Sequence, residues 1–223
     1  MNEMFYKMAK VSGWDFYTGK TINYRENVGR IVKLPYPVVG EPLLCSPNVI
    51  HASRHPAQCF VGGSMPCSLY KVEGTPLLED SHKAGFKQLK ILEEVEEKDF
   101  DEVFGFKYHE ALDPLDPRTI DPPAIGEEEI QLLRKWTSIW TSIRDSIWDS
   151  IGDSIRASIG ASENAYIGSL FPNIVKWKYV QHLAGEYPFQ PCVDLLRKGL
   201  IPICHSNKWR LIAAKTMKEV YVE

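Results

Sequence analysis

The stretch WTSIWTSIRDSIWDSIGDSIRASIGASENAYIGSLF, from Trp136 to Phe171, is built on a four-residue repeat. As a strand, it would place apolar and polar side chains together on both faces. On a helix, residues four apart lie on one side, so serine and isoleucine form separate rows. The repeat therefore predicts a helix over 127–171. Its structural row comprises Ile139, Ile143, Ile147, Ile151, Ile155, Ile159 and Ile167.

The ends of this predicted helix are marked, but its interior has low helix propensity. Glutamates at 127–129 suit the positive end of the helix dipole, and Gly168 with Pro172 marks the other end. Serine, threonine and isoleucine are mediocre helix formers. We therefore expect packing of the isoleucine row, rather than propensity, to hold the helix.

The isoleucine row predicts neighbours on several sides. Four residues exceed the helical period of 3.6, so the row turns by about 40° per repeat. Helices of several subunits could cover such a row, which predicts self-association. Flanking segments of the same chain could also cover it, or the helix could be a spacer. Asp145, Asp149 and Asp153 argue against a membrane span.

The composition is that of a globular protein with one large or two small domains. The chain has 223 residues, 44% hydrophobic and 25% charged, and a net charge of −3, which makes nucleic-acid binding unlikely as a function class. Five cysteines and the absence of a signal peptide at the first residues predict a reducing compartment. We expect the cytoplasm, or the host cytoplasm if the gene is viral, and no membrane partner.

The chain predicts an α+β fold with four segments. A mixed α+β domain occupies 1–110, with strands at FYKMAKV, GRIVKL, NVIHAS, CSLYKVEG and FKQLKILEEVE. A proline-rich linker at 111–126 leads to the helix at 127–171. A small module follows at 172–223, with a helix at PFQPCVDLLRKG and a hairpin at LIPICHSNKWRLIAA that turns at Ser206-Asn207.

Several of these segments carry a resemblance to a known group of proteins. They are WDFYTGKTINY, NVIHASRHPAQCF, LYKVEG, the SI tetrads and PFQPCVDLLRKGLIP. Together they resemble a family of uncharacterised proteins from phages, archaea and environmental genomes, over nearly the whole chain. The resemblance implies this domain layout and no particular activity.

The N-terminal domain alone resembles ADP-ribosyltransferase-like folds. NVIHAS, a short helix with Ala57 and the strand LYKVEG are similar to the elements around the nicotinamide pocket of those folds. The resemblance implies that His51 lines such a pocket. Glu73 is the nearest candidate for the catalytic glutamate, whose position the sequence does not otherwise identify.

Histidines and cysteines near residue 50 form a candidate zinc site. Imidazole and thiolate are good zinc ligands, and a spacing of four can direct two of them at one ion on a helix. The candidate ligands are Cys45, His51, His55 and Cys59. Pro56 interrupts this spacing and no CxxC signature is present, so we favour small core cysteines and no bound metal.

Basic and aromatic residues of the N-terminal domain form a candidate ligand site. Arg25, Arg54 and Tyr70 could bind a small nucleotide by charge-assisted hydrogen bonds and stacking. No glycine-rich phosphate loop supports this site. Surface charge and core aromatic residues explain the same pattern.

These patterns favour a non-enzymatic binding or assembly protein that self-associates through or around the tetrad helix, with no cofactor. The alternative is an ADP-ribosyltransferase-like or nucleotide-binding protein that uses the N-terminal domain.

Overall fold

The computed structural model describes residues 3–37, 40–44, 46–147, 155–174 and 185–223, with only the backbone at 143–147 and 155–157. The chain divides into an N-terminal unit, Met1–Leu112, and a C-terminal unit, Asp113–Glu223. Both contain helices and antiparallel strands, which confirms the α+β class. Among the described residues, no helix is long and apolar enough to span a membrane.

The N-terminal unit contains two antiparallel sheets. Its strands are β1 (Glu3–Lys10), β2 (Ile31–Lys33), β3 (Ile50–Ala52), β4 (Cys67–Gly74), β5 (Leu78–Glu79), β6 (Ala84–Phe86) and β7 (Gln88–Glu94). The large sheet has the order β1-β4-β7-β2, and the small sheet has the order β3-β6-β5. β1 and β4 pair along their whole lengths, from Glu3 opposite Gly74 to Lys10 opposite Cys67.

Each face of the large sheet carries its own core because strand side chains alternate between faces. One core combines Phe5 and Tyr70 of the large sheet with Ile50 and Phe86 of the small sheet. The other core packs Met8 and Leu69 against aromatic residues from two short helices and their connection. These helices are α1 (Phe100–Phe104) and α2 (Tyr108–Leu112), and a 3-10 helix at Pro56–Val61 lies beside β1.

In its described residues, the C-terminal unit combines three α-helices with a small sheet. They are α3 (Glu127–Ile147), α4 (Ile155–Ser169), α5 (Gln190–Arg197), β8 (Leu200–His205), β9 (Lys208–Ala213) and β10 (Lys218–Val222). The strands follow the order β10-β9-β8. Ser206 and Asn207 have φ of 54° and 60°, the left-handed pair that closes a tight hairpin. The predicted hairpin is therefore present, and β10 extends it. This unit includes the predicted tetrad helix, the predicted C-terminal module and all but the first two residues of the predicted linker.

The structure does not show one helix over 127–171. It describes α3 and α4, and residues 148–154, with Ile151, lie outside the described residues. The side chains of Ile143, Ile147 and Ile155 are also outside the description. Helices are thus present on both sides of 148–154, and one continuous helix over 127–171 stays a prediction.

On α4, the serine row faces the core instead of the isoleucine row. Ser158 and Ser162 are 1% and 2% exposed, whereas Ile159 and Ile167 are 44% and 45% exposed. Among the described side chains of α4, Ile159 and Ile167 of the predicted row are therefore not on its packed side. The backbone N–H of Cys204 donates to Ser158 Oγ at 2.9 Å, an approach that leaves room for only a small side chain.

The serine row can be buried because its hydroxyls have partners. Ser162 Oγ donates to the carbonyl oxygen of Ser158 at 3.0 Å, so its polar atom is satisfied. α3 instead packs by large residues, with Leu133 and Trp136 buried and Ile139 partly buried. α5 contacts both helices, β8 contacts α4, and β9 contacts α3. Segments of the same chain thus contact both α3 and α4, as one sequence-based alternative expects.

Glu129 links the beginning of α3 to the end of α5. Its buried carboxylate accepts from the backbone N–H of Gly126 and from Lys198 Nζ, each at 2.9 Å. Lys198 Nζ also lies 2.9 Å from Glu128 Oε1. The Lys198 ammonium and the Gly126 N–H hold the pKa of Glu129 below its usual value. The glutamates predicted to mark the helix start therefore also bind another element.

Because the serine row of α4 is packed, substitutions at the neighbouring residues Ser158 and Ile159 should differ strongly in their effect on stability. We expect Ser158→Leu to lower the free energy of unfolding by about 2 kcal/mol or more, because it overpacks the contact with β8 and removes the acceptor for Cys204. Ile159→Leu, the matched control, should change it by less than about 0.5 kcal/mol. Urea unfolding followed by tryptophan fluorescence measures both. Equal effects of the two leucines would contradict the packing of α4 by its serine row.

Candidate functional site

Asp15 organises the loop that follows β1. Its Oδ1 accepts from the backbone N–H of Thr18 at 2.7 Å, and its Oδ2 accepts from those of Thr21 at 2.8 Å and Ile22 at 3.2 Å. Burial alone would raise the pKa of Asp15, but these hydrogen bonds lower it. Gly13 has φ of +87°, and a Cβ there would lie 2.6 Å from Asn23 Oδ1, so the loop requires glycine.

This loop forms one wall of a cavity of about 330 Å³ within the N-terminal unit. The other walls come from β1, from β3 and the residues before it, and from the 3-10 helix. The backbone of Ser53, which follows β3, exchanges hydrogen bonds with that of Tyr6 at 2.7 and 2.9 Å, so β3 is joined to β1. Apolar and aromatic side chains form much of the lining, among them Phe16, Ile22, Tyr24, Leu34, Val49 and Ile50.

Lys7 contributes an amine to the wall of this cavity. It lies opposite Tyr70 of β4 and on the same face of β1 as Phe5 and Ala9, which are fully buried. Its Nζ lies 5.4 Å from the ring centroid of Tyr24. Within the part of the chain that the structure describes, no side chain forms an ion pair or hydrogen bond with this amine. Burial lowers the pKa of Lys7, and nearby Cys59 and Asp15 oppose that shift.

His51 of β3 and Cys59 of the 3-10 helix also line the cavity. Burial, reinforced by Lys7 and Lys83, lowers the pKa of His51 to about 4, so its imidazole is neutral at pH 7. Burial raises the pKa of Cys59, whose thiol donates to the carbonyl oxygen of Tyr6 at 3.4 Å. Cys59 therefore remains a protonated thiol, which is a poor nucleophile.

The charges on the cavity wall favour an anion. Among the described lining residues, Lys7 and Lys83 are the basic ones and Asp15 is the only acid. Three backbone N–H groups already bind the Asp15 carboxylate. A cavity with flat apolar walls and an amine can hold an anionic ligand by stacking and a charge-assisted hydrogen bond.

The structure brings together two of the four predicted zinc ligands. His51 and Cys59 line the cavity, His55 does not, and Cys45 lies outside the described residues. In the described ranges, no group of three or more His, Cys, Asp or Glu side chains could hold a metal ion. The spacing of four does not produce a common helical face because His51 lies on a strand and Cys59 on a 3-10 helix.

The candidate catalytic pair of the ADP-ribosyltransferase resemblance is not assembled at the cavity. His51 lines it, but Glu73 does not. Glu73 lies on β4, where its Oε1 is 3.3 Å from Lys90 Nζ of β7. The register of β4 against β7 places Glu73 opposite Lys90, so the two side chains form an ion pair on the large sheet.

The structure likewise does not gather Arg25, Arg54 and Tyr70 into a ligand site. None of them lines the cavity. Arg25 forms a two-point bond with Glu94, at 2.6 and 3.0 Å. Arg54 contacts Glu79 and Glu3, and Tyr70 is fully buried in the core. Carboxylates from distant parts of the sequence satisfy both arginines, which the basic and aromatic pattern alone does not reveal.

No protein family, curated protein or solved structure matches the chain.

Sequence reasoning did not select Lys7 or Asp15, although both leave a signal. In FYKMAKV, period-two alternation places Lys7 on the face of Phe5 and Ala9, so a lysine occupies a position that points to the core. In WDFYTGKT, an aspartate three residues before a threonine is typical of a side-chain-stabilised turn. A charged residue at a core-facing strand position is the more informative signal for a ligand site.

The lowered pKa of His51 predicts how stability depends on pH. An unfolded histidine binds a proton below about pH 6.5, whereas folded His51 does so only near pH 4. The unfolded state then binds more protons, so this residue makes stability fall as pH drops from about 6.5 to 4. His51→Gln should flatten that fall, as measured by urea unfolding at several pH values. Parallel profiles for the two proteins would contradict a neutral, partly buried imidazole.

Proposed function

We propose that the protein is a binding protein whose N-terminal unit holds a small anionic ligand, with a small nucleotide as the favoured class. One observation carries this proposal. Lys7 presents an amine without an ion partner, among the described residues, to an apolar cavity of about 330 Å³. That volume lies near the lower end of the range of about 300 to 1,000 Å³ that is typical of ligand pockets.

The energetics of a partly buried amine support an anionic ligand. A charged group away from water is costly unless it is paired. Burial accordingly shifts Lys7 toward its neutral form in the free protein. A phosphate or carboxylate beside Nζ would stabilise the ammonium, and Tyr24 and Phe16 offer aromatic surface for a planar group.

The proposal is binding without ADP-ribose transfer. Transfer needs a carboxylate near the reacting sugar, and Glu73 is engaged with Lys90 outside the cavity lining. Cys59 is a protonated thiol and does not supply a ready nucleophile. An ADP-ribosyltransferase-like enzyme stays the alternative, and measurable hydrolysis or transfer with NAD would favour it.

Isothermal titration with AMP tests the proposed function, and uncharged adenosine tests the need for a phosphate. We expect AMP to bind and adenosine to bind at least about tenfold more weakly. Lys7→Met should weaken AMP binding by at least about tenfold because it removes one charge-assisted hydrogen bond. Lys10→Met, an exposed lysine on the same strand, is the matched control. Failure of AMP to bind, or equal effects of the two lysine variants, would contradict the proposal.

We also propose that the protein self-associates through the tetrad region. The exposed Ile159 and Ile167 support this, because α4 leaves both of them uncovered by the described chain. Assembly through α4 and ligand binding at Lys7 are compatible, since they use different residues. The resemblance to the phage and archaeal family and the cytoplasmic location both stay predictions.

Sedimentation velocity tests the proposed assembly. We expect the unmodified chain to sediment as an oligomer and the double variant Ile159→Asp with Ile167→Asp to sediment as a monomer, because a charge buried in an interface is costly. Asn164→Asp, which adds a charge at another exposed position of α4, should keep the oligomer. A monomeric unmodified chain would remove this proposal and leave ligand binding unaffected.

A further inference from the structure

Lys7 is held in place by the most extensive strand pairing of the N-terminal unit. β1 pairs with β4 over eight residues, and the side chains on either side of Lys7 on its face, Phe5 and Ala9, are fully buried. The backbone of Lys7 is therefore fixed, and its amine reaches a cavity that can admit a small molecule. Partly desolvated lysines at such positions are suited to covalent chemistry as well as to charge recognition.

We propose that Lys7 is a nucleophilic amine that forms a reversible imine with a small aldehyde or ketone carrying an anionic group. The anionic group rests on the proposed function, because it would occupy the same cavity. The carbonyl group is the new element, and it assigns Lys7 a covalent role that noncovalent binding does not require.

The reaction balances without an oxidant or reductant. The lone pair of neutral Lys7 Nζ forms a bond to the carbonyl carbon while the carbonyl π pair moves to oxygen. One proton passes from nitrogen to oxygen and gives a carbinolamine. Loss of the hydroxyl with a second proton from nitrogen releases water and leaves the C=N bond. Addition of water reverses each step, so the ligand is released unchanged.

His51 is placed to move these protons. It lines the same cavity, and β3 is joined to β1 through the Ser53 and Tyr6 backbones. An imidazole that is neutral at pH 7 can accept the proton from nitrogen and return it to the departing oxygen. His51 is thus the acid–base residue of the proposed step, and Lys7 is the nucleophile.

The groups around Lys7 leave its amine available. Asp15 and Tyr24 face it from the loop, Cys59 faces it from the 3-10 helix, and His51 and Lys83 line the same cavity. The Asp15 carboxylate is bound by backbone N–H groups, and Cys59 is a protonated thiol. None of these groups forms an ion pair with Lys7, and burial increases the fraction of neutral, nucleophilic amine.

Lys71, Lys90 and Lys10 of the N-terminal unit lack this combination. Lys71 Nζ lies 2.7 Å from Glu93 Oε1, and Lys90 Nζ lies 3.3 Å from Glu73 Oε1, so carboxylates stabilise their charged forms. Lys10 is exposed at the end of β1 and lies outside the cavity lining. Selective modification of Lys7 over Lys10 is therefore a direct readout of the cavity.

The experiment uses pyridoxal 5′-phosphate, an anionic aromatic aldehyde, as the probe. The full chain is incubated with the probe at pH 7, the imine is reduced with borohydride, and peptides are mapped by mass spectrometry. We expect Lys7 to be labelled at least about tenfold faster than Lys10. Lys7→Arg should abolish that label while Lys10→Arg preserves it. His51→Gln should slow labelling of Lys7 and leave labelling of Lys10 unchanged.

Equal labelling of Lys7 and Lys10 in the unmodified chain would overturn the imine proposal, and this comparison needs no variant to fold. A second arm adds AMP. If AMP binds but Lys7 is not labelled selectively, the imine is wrong and the proposed function stands. If Lys7 is labelled selectively but AMP neither binds nor protects it, the imine stands and the nucleotide is wrong.

Discussion

The antiparallel pairing of β1 with β4 is the constraint on which the N-terminal unit depends. It runs for eight residues at one side of the large sheet. Because strand side chains alternate between faces, β1 and β4 each contribute residues to both cores. A shift of one residue would exchange the two faces and bring Lys7 into the aromatic core in place of Met8. The same pairing that builds the hydrophobic cores therefore also brings an amine to the cavity wall.

Two of the charged groups on the cavity wall, Asp15 and Lys7, differ in how the described residues satisfy them. The Asp15 carboxylate receives backbone hydrogen bonds from its own loop, so its role is explained by the structure of that loop. The Lys7 amine has no ion-pair or hydrogen-bond partner among the described residues, and its Nζ lies 5.4 Å from the ring centroid of Tyr24. A charge with complete partners stabilises a fold, whereas the proposed anionic ligand would supply the partner that Lys7 lacks among the described residues.

The sequence predicted the type of most elements better than their buried faces. Serine–isoleucine tetrads predicted helix, and helix is present on both sides of 148–154, but the distance between α4 and β8 decides that Ser158 is buried and Ile159 is exposed. That distance depends on tertiary packing and leaves no periodic signal. β5 has two residues and β6 has three, which is too short for alternation to be recognised.

The residues of the candidate site could be predicted only in part, because residue type and alternation are local signals and long-range partners are not. His51 and Cys59 attracted notice by residue type, and both line the cavity. The partner of Arg25 is Glu94, 69 residues away, so no local pattern could show that this arginine is already bound. Lys7 could have been predicted from the sequence, because the alternation of β1 places this lysine on the same face as the buried Phe5 and Ala9.

The Glu129–Lys198 link joins the poles of two helices. A carboxylate at the first turn of α3 complements the positive end of that helix, and an ammonium just after α5 complements the negative end of the other. Each charge therefore interacts favourably with the dipole of its own helix and with the opposite charge at the other helix. Because Glu129 is buried, mobile ions screen this link less than they screen the exposed pair of Arg134 with Glu223. The Glu129–Lys198 link is thus a contact of the C-terminal unit that depends less on ionic strength than the exposed pair does.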